Sequence, residues 1–191
     1  MLTKLHLVNY KSYKNTEIET KPITIFCGGN SSGKTSIIKS ILLMKQSFEA
    51  SGNNCLLING PYTNNGLYDD LRRKSKDGNS DEMSISASYN ITPSNSSFRD
   101  ICKSLGMASR SIHFSSFQID SNFNFKKNLA FPQIGEVKET SVKFTLNFSE
   151  SATNYTNKSY TSEIHLTQCS DESHYTINLS NFPIPLYAKG K

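Results

Sequence analysis

The feature that most constrains the fold is the octapeptide GGNSSGKT at residues 28–35, which has the spacing G-x-x-x-x-G-K-[ST]. An apolar, β-branched run at residues 23–27 precedes it and predicts a strand that stops at the glycines. After Thr35 apolar residues recur at helical spacing and predict a helix over residues 34–48. Lys39, Lys45 and Gln46 fall outside the apolar face of that helix. A strand that passes through a glycine loop into a helix indicates an α/β fold.

Each position of the loop has a physical task in holding phosphate. Glycine adopts backbone conformations that a Cβ forbids, and it lets the chain approach a ligand closely. Successive N–H groups then form an anion nest at the start of the helix. We expect Lys34 to reach the β- and γ-phosphates and the Thr35 hydroxyl to ligate Mg²⁺. The predicted nucleotide-binding residues of the loop are Gly28, Gly29, Asn30, Ser31, Ser32, Gly33, Lys34, Thr35 and Ser36.

The rest of the chain is predicted to be rich in strands. Short strands are expected at residues 2–8, 16–19 and 55–58, and a short helix at residues 67–73. Beyond residue 81 apolar and polar residues alternate with period two, which predicts an antiparallel meander with one solvent-exposed face. The alternating runs are residues 82–91, 111–119, 141–148, 160–167 and 174–179, with a helix at 98–105 and loops at 126–139 and 150–158. We therefore expect a P-loop core at residues 1–80 and a β-rich part of the same lobe at residues 81–191.

Several segments together resemble a known family. They are LHLVNYKSYKN at residues 5–15, PITIF at 22–26, the loop with Asn30 and Ser36, and LLINGPY at 56–62 with Gly66 and residues 69–71 after it. These residues resemble the N-terminal segment of the ABC-type P-loop ATPases of the SMC and RecF group. They are most similar to bacterial single-gene relatives of the AAA type, many of which act in DNA repair or anti-phage defence. The resemblance covers about residues 1–90.

The resemblance implies the N-terminal lobe of a P-loop NTPase that binds ATP with Mg²⁺. In that group ATP lies between the P-loop of one subunit and a signature motif of another, so ATP drives dimerisation of the heads. A homo-oligomer or head-to-head dimer is therefore implied, with DNA or a nuclease effector as a further partner. Lys11 and Ser12, between the first two strands, are the implied contacts to the nucleotide. The alternative for these two residues is a basic turn on a solvated surface.

The chain departs from the pattern of a complete ABC-type head. Asp-Glu occurs at residues 81–82 and 171–172, and neither pair follows an apolar strand, as a Walker B motif would. No signature segment is found, and Gln118 and Gln133 are the two candidates for a Q-loop glutamine. We expect the chain to be the N-terminal lobe of a longer ATPase, or a truncated or split product, with negligible hydrolysis when isolated. The alternative is a non-hydrolysing module whose binding surface responds to nucleotide.

Composition excludes some other classes of function. The sequence contains no apolar run of the ~20 residues that would span a bilayer, and its N-terminus has no secretory signal pattern. We expect a cytoplasmic protein without a membrane partner. The net charge of +5 permits contact with nucleic acid. A GTPase is disfavoured, because residues 157–160 read NKSY and lack the aspartate of the base-reading N-K-x-D motif.

Overall fold

One antiparallel sheet dominates the computed structural model, which describes residues 1–50, 55–74, 82–91, 112–150, 158–169 and 175–180. Its strands are β1 (Leu2–Tyr10), β2 (Tyr13–Glu19), β3 (Cys55–Leu57), β4 (Glu82–Ile91), β5 (Ile112–Lys127), β6 (Ile134–Glu150), β7 (Lys158–Cys169) and β8 (Tyr175–Ser180). The described helices are α1 (Lys34–Glu49) and α2 (Tyr68–Leu71). The strand order is β2-β1-β4-β5-β6-β7-β8, and β3 pairs with β6 off this path.

The core lies where α1 covers one face of the sheet. Alternation along β1 places Leu5 and Leu7 on that face, and Leu7 is opposite Ile85 of β4. The next pairing sets Met83 opposite Phe125 of β5, so the apolar face continues across three strands. Helix α1 contributes Ile37, Leu43 and Met44 to the same cluster, which Leu56, Ile58, Tyr68 and Leu71 extend.

The predicted meander is confirmed, although its strands β5, β6 and β7 are longer than predicted. Consecutive strands from β4 to β8 pair antiparallel. The predicted loop at residues 126–139 is too long, because β5 runs to Lys127 and β6 starts at Ile134, which leaves residues 128–133 as the connection. In the turn that joins them, the Asn128 side chain accepts hydrogen bonds from the N–H groups of Ala130 and Phe131. The predicted helix at residues 98–105 lies outside the described residues. The predicted division into a P-loop core at residues 1–80 and a β-rich part at residues 81–191 stays a prediction.

The predicted strand at residues 23–27 is wrong. The backbone there belongs to none of the described strands, and Ile23 and Ile25 are 83% and 79% exposed. Phe26 is half-buried and packs against the core. A β-branched run becomes a strand only where a neighbouring strand pairs with its backbone, and the described strands pair elsewhere. Of the predicted strand–loop–helix core, the structure therefore contains the loop and the helix.

Helix α1 begins at Lys34, as predicted, but Gln46 does not lie on a polar face. Gln46 is 1% exposed. Its Nε2 donates to the Leu57 carbonyl oxygen at 2.5 Å, and its Oε1 accepts from the Thr63 N–H at 3.0 Å. The amide thereby fixes the loop that follows β3. None of the helices in the described part of the chain is long and apolar enough to cross a membrane.

Candidate nucleotide-binding site

The glycine loop at residues 28–33 turns sharply into α1. Ser31 has φ 62° and Gly33 has φ 96°, so both adopt left-handed backbone conformations. At Gly33 a side chain is also excluded by packing. An added Cβ would lie 2.6 Å from the Tyr13 hydroxyl oxygen and 3.0 Å from Ser12 Oγ. The end of the loop is therefore in close contact with the turn that joins β1 and β2.

The first turn of α1 presents its N-terminus without a capping side chain. The N–H groups of Ser36 and Ile37 donate to the Gly33 carbonyl oxygen, at 2.8 and 3.3 Å. No acidic residue lies in this first turn. The positive end of the helix dipole is thus left for an anion from outside the helix.

The Lys34 ammonium lies against the loop from which its own helix starts. Its Nζ donates to the carbonyl oxygens of Gly28 at 2.8 Å and Gly29 at 2.6 Å, and to Ser32 Oγ at 3.3 Å. The loop thereby holds one full positive charge at its centre. A lysine in this place acts as a point charge toward phosphate oxygens.

An open cleft of about 240 Å³ brings the loop together with the β1–β2 turn. It is lined by Lys11, Ser12, Ser31, Ser32, Gly33, Lys34, Thr35 and Ser36. Lysines, hydroxyls and backbone N–H groups suit a polyanion, and none of these described lining residues is acidic. Pockets that enclose a whole small ligand measure roughly 300–1,000 Å³. The cleft therefore has the size of a partial site.

Lys11 and Ser12 lie on this cleft, whereas Gly28, Gly29 and Asn30 form the exposed outer part of the loop. Lys11 is half-buried, and its Nζ donates to the Asp70 carbonyl oxygen at 3.4 Å. Burial lowers the pKa of the Lys11 ammonium, and the positive charge of Lys39 lowers it further. A phosphate group would oppose that shift, since an anion favours the charged lysine.

The donor set fits a magnesium–triphosphate better than a metal bound by protein alone. Among the described residues no group of three or more His, Cys, Asp or Glu side chains could hold a metal ion. Thr35 lines the cleft, where its hydroxyl oxygen together with phosphate oxygens would suit Mg²⁺. Thr35 would hold the ion there, and the ion would offset the negative charge of the phosphates.

The other sequence candidates that the structure describes are not among the residues that line the cleft. Gln118 lies within β5, where its Nε2 donates to both carboxylate oxygens of Asp120. Gln133 is exposed in the β5–β6 turn. Glu82 starts β4 and pairs with Lys138 of β6. Asp81 and the Asp-Glu pair at residues 171–172 lie outside the described residues.

Two contributors were not singled out from the sequence. Tyr13 closes the loop against the turn through its contact with Gly33, and it directly follows the two implied contact residues, Lys11 and Ser12. Asp70 is the second, because its carbonyl oxygen accepts from Lys11 Nζ. The resemblance included residues 69–71, but the role of Asp70 depends on a tertiary contact that no local pattern specifies.

The glycine loop, the uncapped helix N-terminus and the lysine at the loop centre define a P-loop nucleotide-binding protein. The family model of the AAA ATPase domain matches residues 1–188, nearly the whole chain. The chain therefore belongs to the AAA ATPase domain family, and that membership carries the P-loop NTPase fold, nucleotide binding and an ATPase function in general. Comparison with curated proteins gives no significant match.

Proposed function

We propose that the chain is the nucleotide-binding lobe of an SMC/RecF-like ATPase that holds Mg–ATP between its P-loop and the β1–β2 turn. The observation that carries this proposal is the cleft itself, where Lys11 and Ser12 lie opposite the loop and the first turn of α1. The phosphates bind the N–H groups of the loop and Lys34. Thr35 ligates the magnesium ion, and Lys11 and Ser12 contact the remaining face of the nucleotide.

Hydrolysis in this proposal requires completion by a C-terminal lobe and a second subunit. Three features of the described residues support this. The cleft has the size of a partial site, and its lining contains no general base. Apolar side chains are also exposed on both sides of the loop, at Ile23 and Ile25 before it and at Ile38 and Ile41 after it. In this proposal the second lobe or subunit covers these side chains, in the way that contiguous exposed apolar patches serve as interaction surfaces.

The alternative function is a nucleotide-dependent binding module that does not hydrolyse ATP. The lining of lysine, serine, threonine and glycine supports it, because these residues hold phosphate without activating water. Dimerisation driven by ATP, contact with DNA or a nuclease effector, and a role in DNA repair or antiviral defence belong to the first proposal. The resemblance to the SMC and RecF group motivates these roles, and the charge of +5 is compatible with contact to DNA.

Binding of a fluorescent ATP analogue tests the site. We expect Lys34→Ala to weaken binding about 10- to 150-fold, since a hydrogen bond to a charged group contributes about 1.5–3 kcal/mol. Lys45→Ala is the matched control, because Lys45 lies on the same helix, over the Tyr62 ring and outside the cleft lining. Thr35→Val should remove the gain in affinity that Mg²⁺ gives. Equal binding by Lys34→Ala and the parent would refute the site.

ATP turnover and oligomeric state separate the two functions. With nucleotide bound, the ATPase-head proposal expects a dimer by size-exclusion chromatography with light scattering, and turnover only after the missing lobe is supplied. The binding-module alternative expects nucleotide binding without turnover in either case. Rapid turnover by the pure chain would contradict both.

A further inference from the structure

The β1–β2 turn is a strained element that something must hold in place. Asn9 has φ 53° and Lys11 has φ 49°, and the fully buried Tyr10 lies between them. Left-handed conformations at residues with a Cβ are unfavourable and persist only where the surrounding structure fixes them. The position of Lys11 on the cleft thus depends on the contacts of this turn.

Those contacts come from residues 66–73, which we call the strut. The Lys11 N–H donates to the Leu71 carbonyl oxygen at 2.6 Å, and the Arg73 N–H donates to the Asn9 carbonyl oxygen at 2.8 Å. The Lys11 side chain donates to the Asp70 carbonyl oxygen. The strut therefore holds both the backbone and the ammonium of Lys11.

The strut has a defined shape of its own at its start. Gly66 has φ 83°, and a Cβ there would lie 2.4 Å from Asp70 Oδ2. That same carboxylate oxygen accepts from the Leu67 N–H at 2.9 Å. The Asp70 side chain thus closes the first turn of α2, while the backbone carbonyl oxygen of Asp70 accepts the hydrogen bond from Lys11.

The strut is anchored in turn to the β5–β6 hairpin. The Tyr68 hydroxyl donates to the Phe125 carbonyl oxygen at 2.7 Å, and its N–H donates to the Pro132 carbonyl oxygen at 2.9 Å. Lys127, at the end of β5, forms an ion pair with Asp69 at 2.5 Å. These contacts run continuously from the hairpin through the strut to the turn that carries Lys11.

We propose that Asp69 and Lys127 are positioning residues for nucleotide binding, which act through the strut on Lys11. This inference rests on the proposed Mg–ATP site. Neither residue is among the residues that line the cleft. Both side chains of the pair are part-exposed, at 40% and 34%, so its loss costs the fold little. It removes one of the contacts between the strut and the hairpin, while the Tyr68 hydrogen bonds and the Asp69–Arg72 ion pair remain. A displacement of the hairpin by a partner would reach the nucleotide by the same path.

The affinity for the fluorescent ATP analogue in Mg²⁺ tests the pair. We expect Lys127→Met to weaken binding about two- to fivefold, the range that a part-exposed ion pair can transmit. Lys127→Arg keeps the pair and should bind as the parent does. The control is Lys126→Met, because Lys126 precedes Lys127 on β5 and pairs with Glu136 at 3.0 Å with similar exposure. It should leave the affinity unchanged.

A double-mutant cycle with Lys11 distinguishes positioning from general stability. In a Lys11→Ala background Lys127→Met should cause no further loss of affinity, because the residue on which it acts is gone. An equal loss in both backgrounds, or no loss in either, would overturn the inference. If Lys34→Ala weakens binding while Lys127→Met does not, only the positioning role fails. If Lys34→Ala has no effect, the proposed site itself fails.

Discussion

Replacement of Gly33 by alanine tests the packing between the loop and the β1–β2 turn. A Cβ in the left-handed region costs about 1–2 kcal/mol. At φ 96° the new methyl group would also lie 2.6 Å from the Tyr13 hydroxyl and 3.0 Å from Ser12 Oγ. The methyl group would force the part-buried Tyr13 ring to shift, and overpacking of this kind costs about 1–3 kcal/mol. We therefore expect Gly33→Ala to lower the free energy of unfolding by about 2–5 kcal/mol.

Gly29 provides the matched control within the same loop. An added Cβ at Gly29 would meet no atom within 4 Å, and its φ is not positive. Gly29→Ala should therefore change stability little, or raise it by about 0.4–1 kcal/mol through the unfolded state.

Urea unfolding of the two variants gives the difference between their free energies of unfolding. If the dependence of the free energy on urea concentration is the same for both variants, one common slope is used in the fits. In thermal unfolding each kcal/mol corresponds to about 2–4 °C at this chain length. A difference below about 1 kcal/mol between the two variants would refute the contact between Gly33 and Tyr13.

Three further outcomes are expected. Gln46→Met leaves the Leu57 carbonyl and the Thr63 N–H without their partner, so the free energy of unfolding should fall by about 1–4 kcal/mol in urea titrations, with Lys45→Met near neutral. Because burial lowers the pKa of Lys11, the folded chain loses that proton more readily than the unfolded chain. The free energy of unfolding should therefore rise as the pH increases through the lowered pKa of Lys11, and the affinity for the ATP analogue should fall over the same pH range. Lys11→Arg should abolish both trends. The exposed Cys27 thiol should react with a thiol reagent faster than Cys55, whose pKa burial raises, and peptide mass spectrometry checks the order, with equal rates expected in denaturant.

Local signals predicted the loop, helix α1 and the meander. Two glycines, Lys34 and Thr35 at fixed spacing specify a turn into a helix without reference to the remaining chain. Alternation along residues 82–91 likewise predicted β4 at its observed bounds. Both signals depend on residues that are neighbours in sequence, so both can be recognised before the fold is known.

Other features depended on contacts between distant segments. Residues 23–27 have the composition of a strand, but pairing is set by the strands that lie beside them. Gln46 is buried because two backbone groups beyond β3 need a partner at that helix position. The ion pair between Asp69 and Lys127 joins segments that no periodicity relates. Such interactions follow from tertiary structure alone.

The order of strands in the sheet has a consequence for how the chain folds. From β4 to β8 consecutive strands pair with each other, whereas β1 must find β4 across β2, α1, β3 and α2. Closing that long loop costs conformational entropy, and distant pairings slow folding. We expect the meander hairpins to form first and β1 to join them late. On the ribosome, the hairpin of β1 and β2 is synthesised before β4, so β1 gains its second sheet partner only after β4 has emerged.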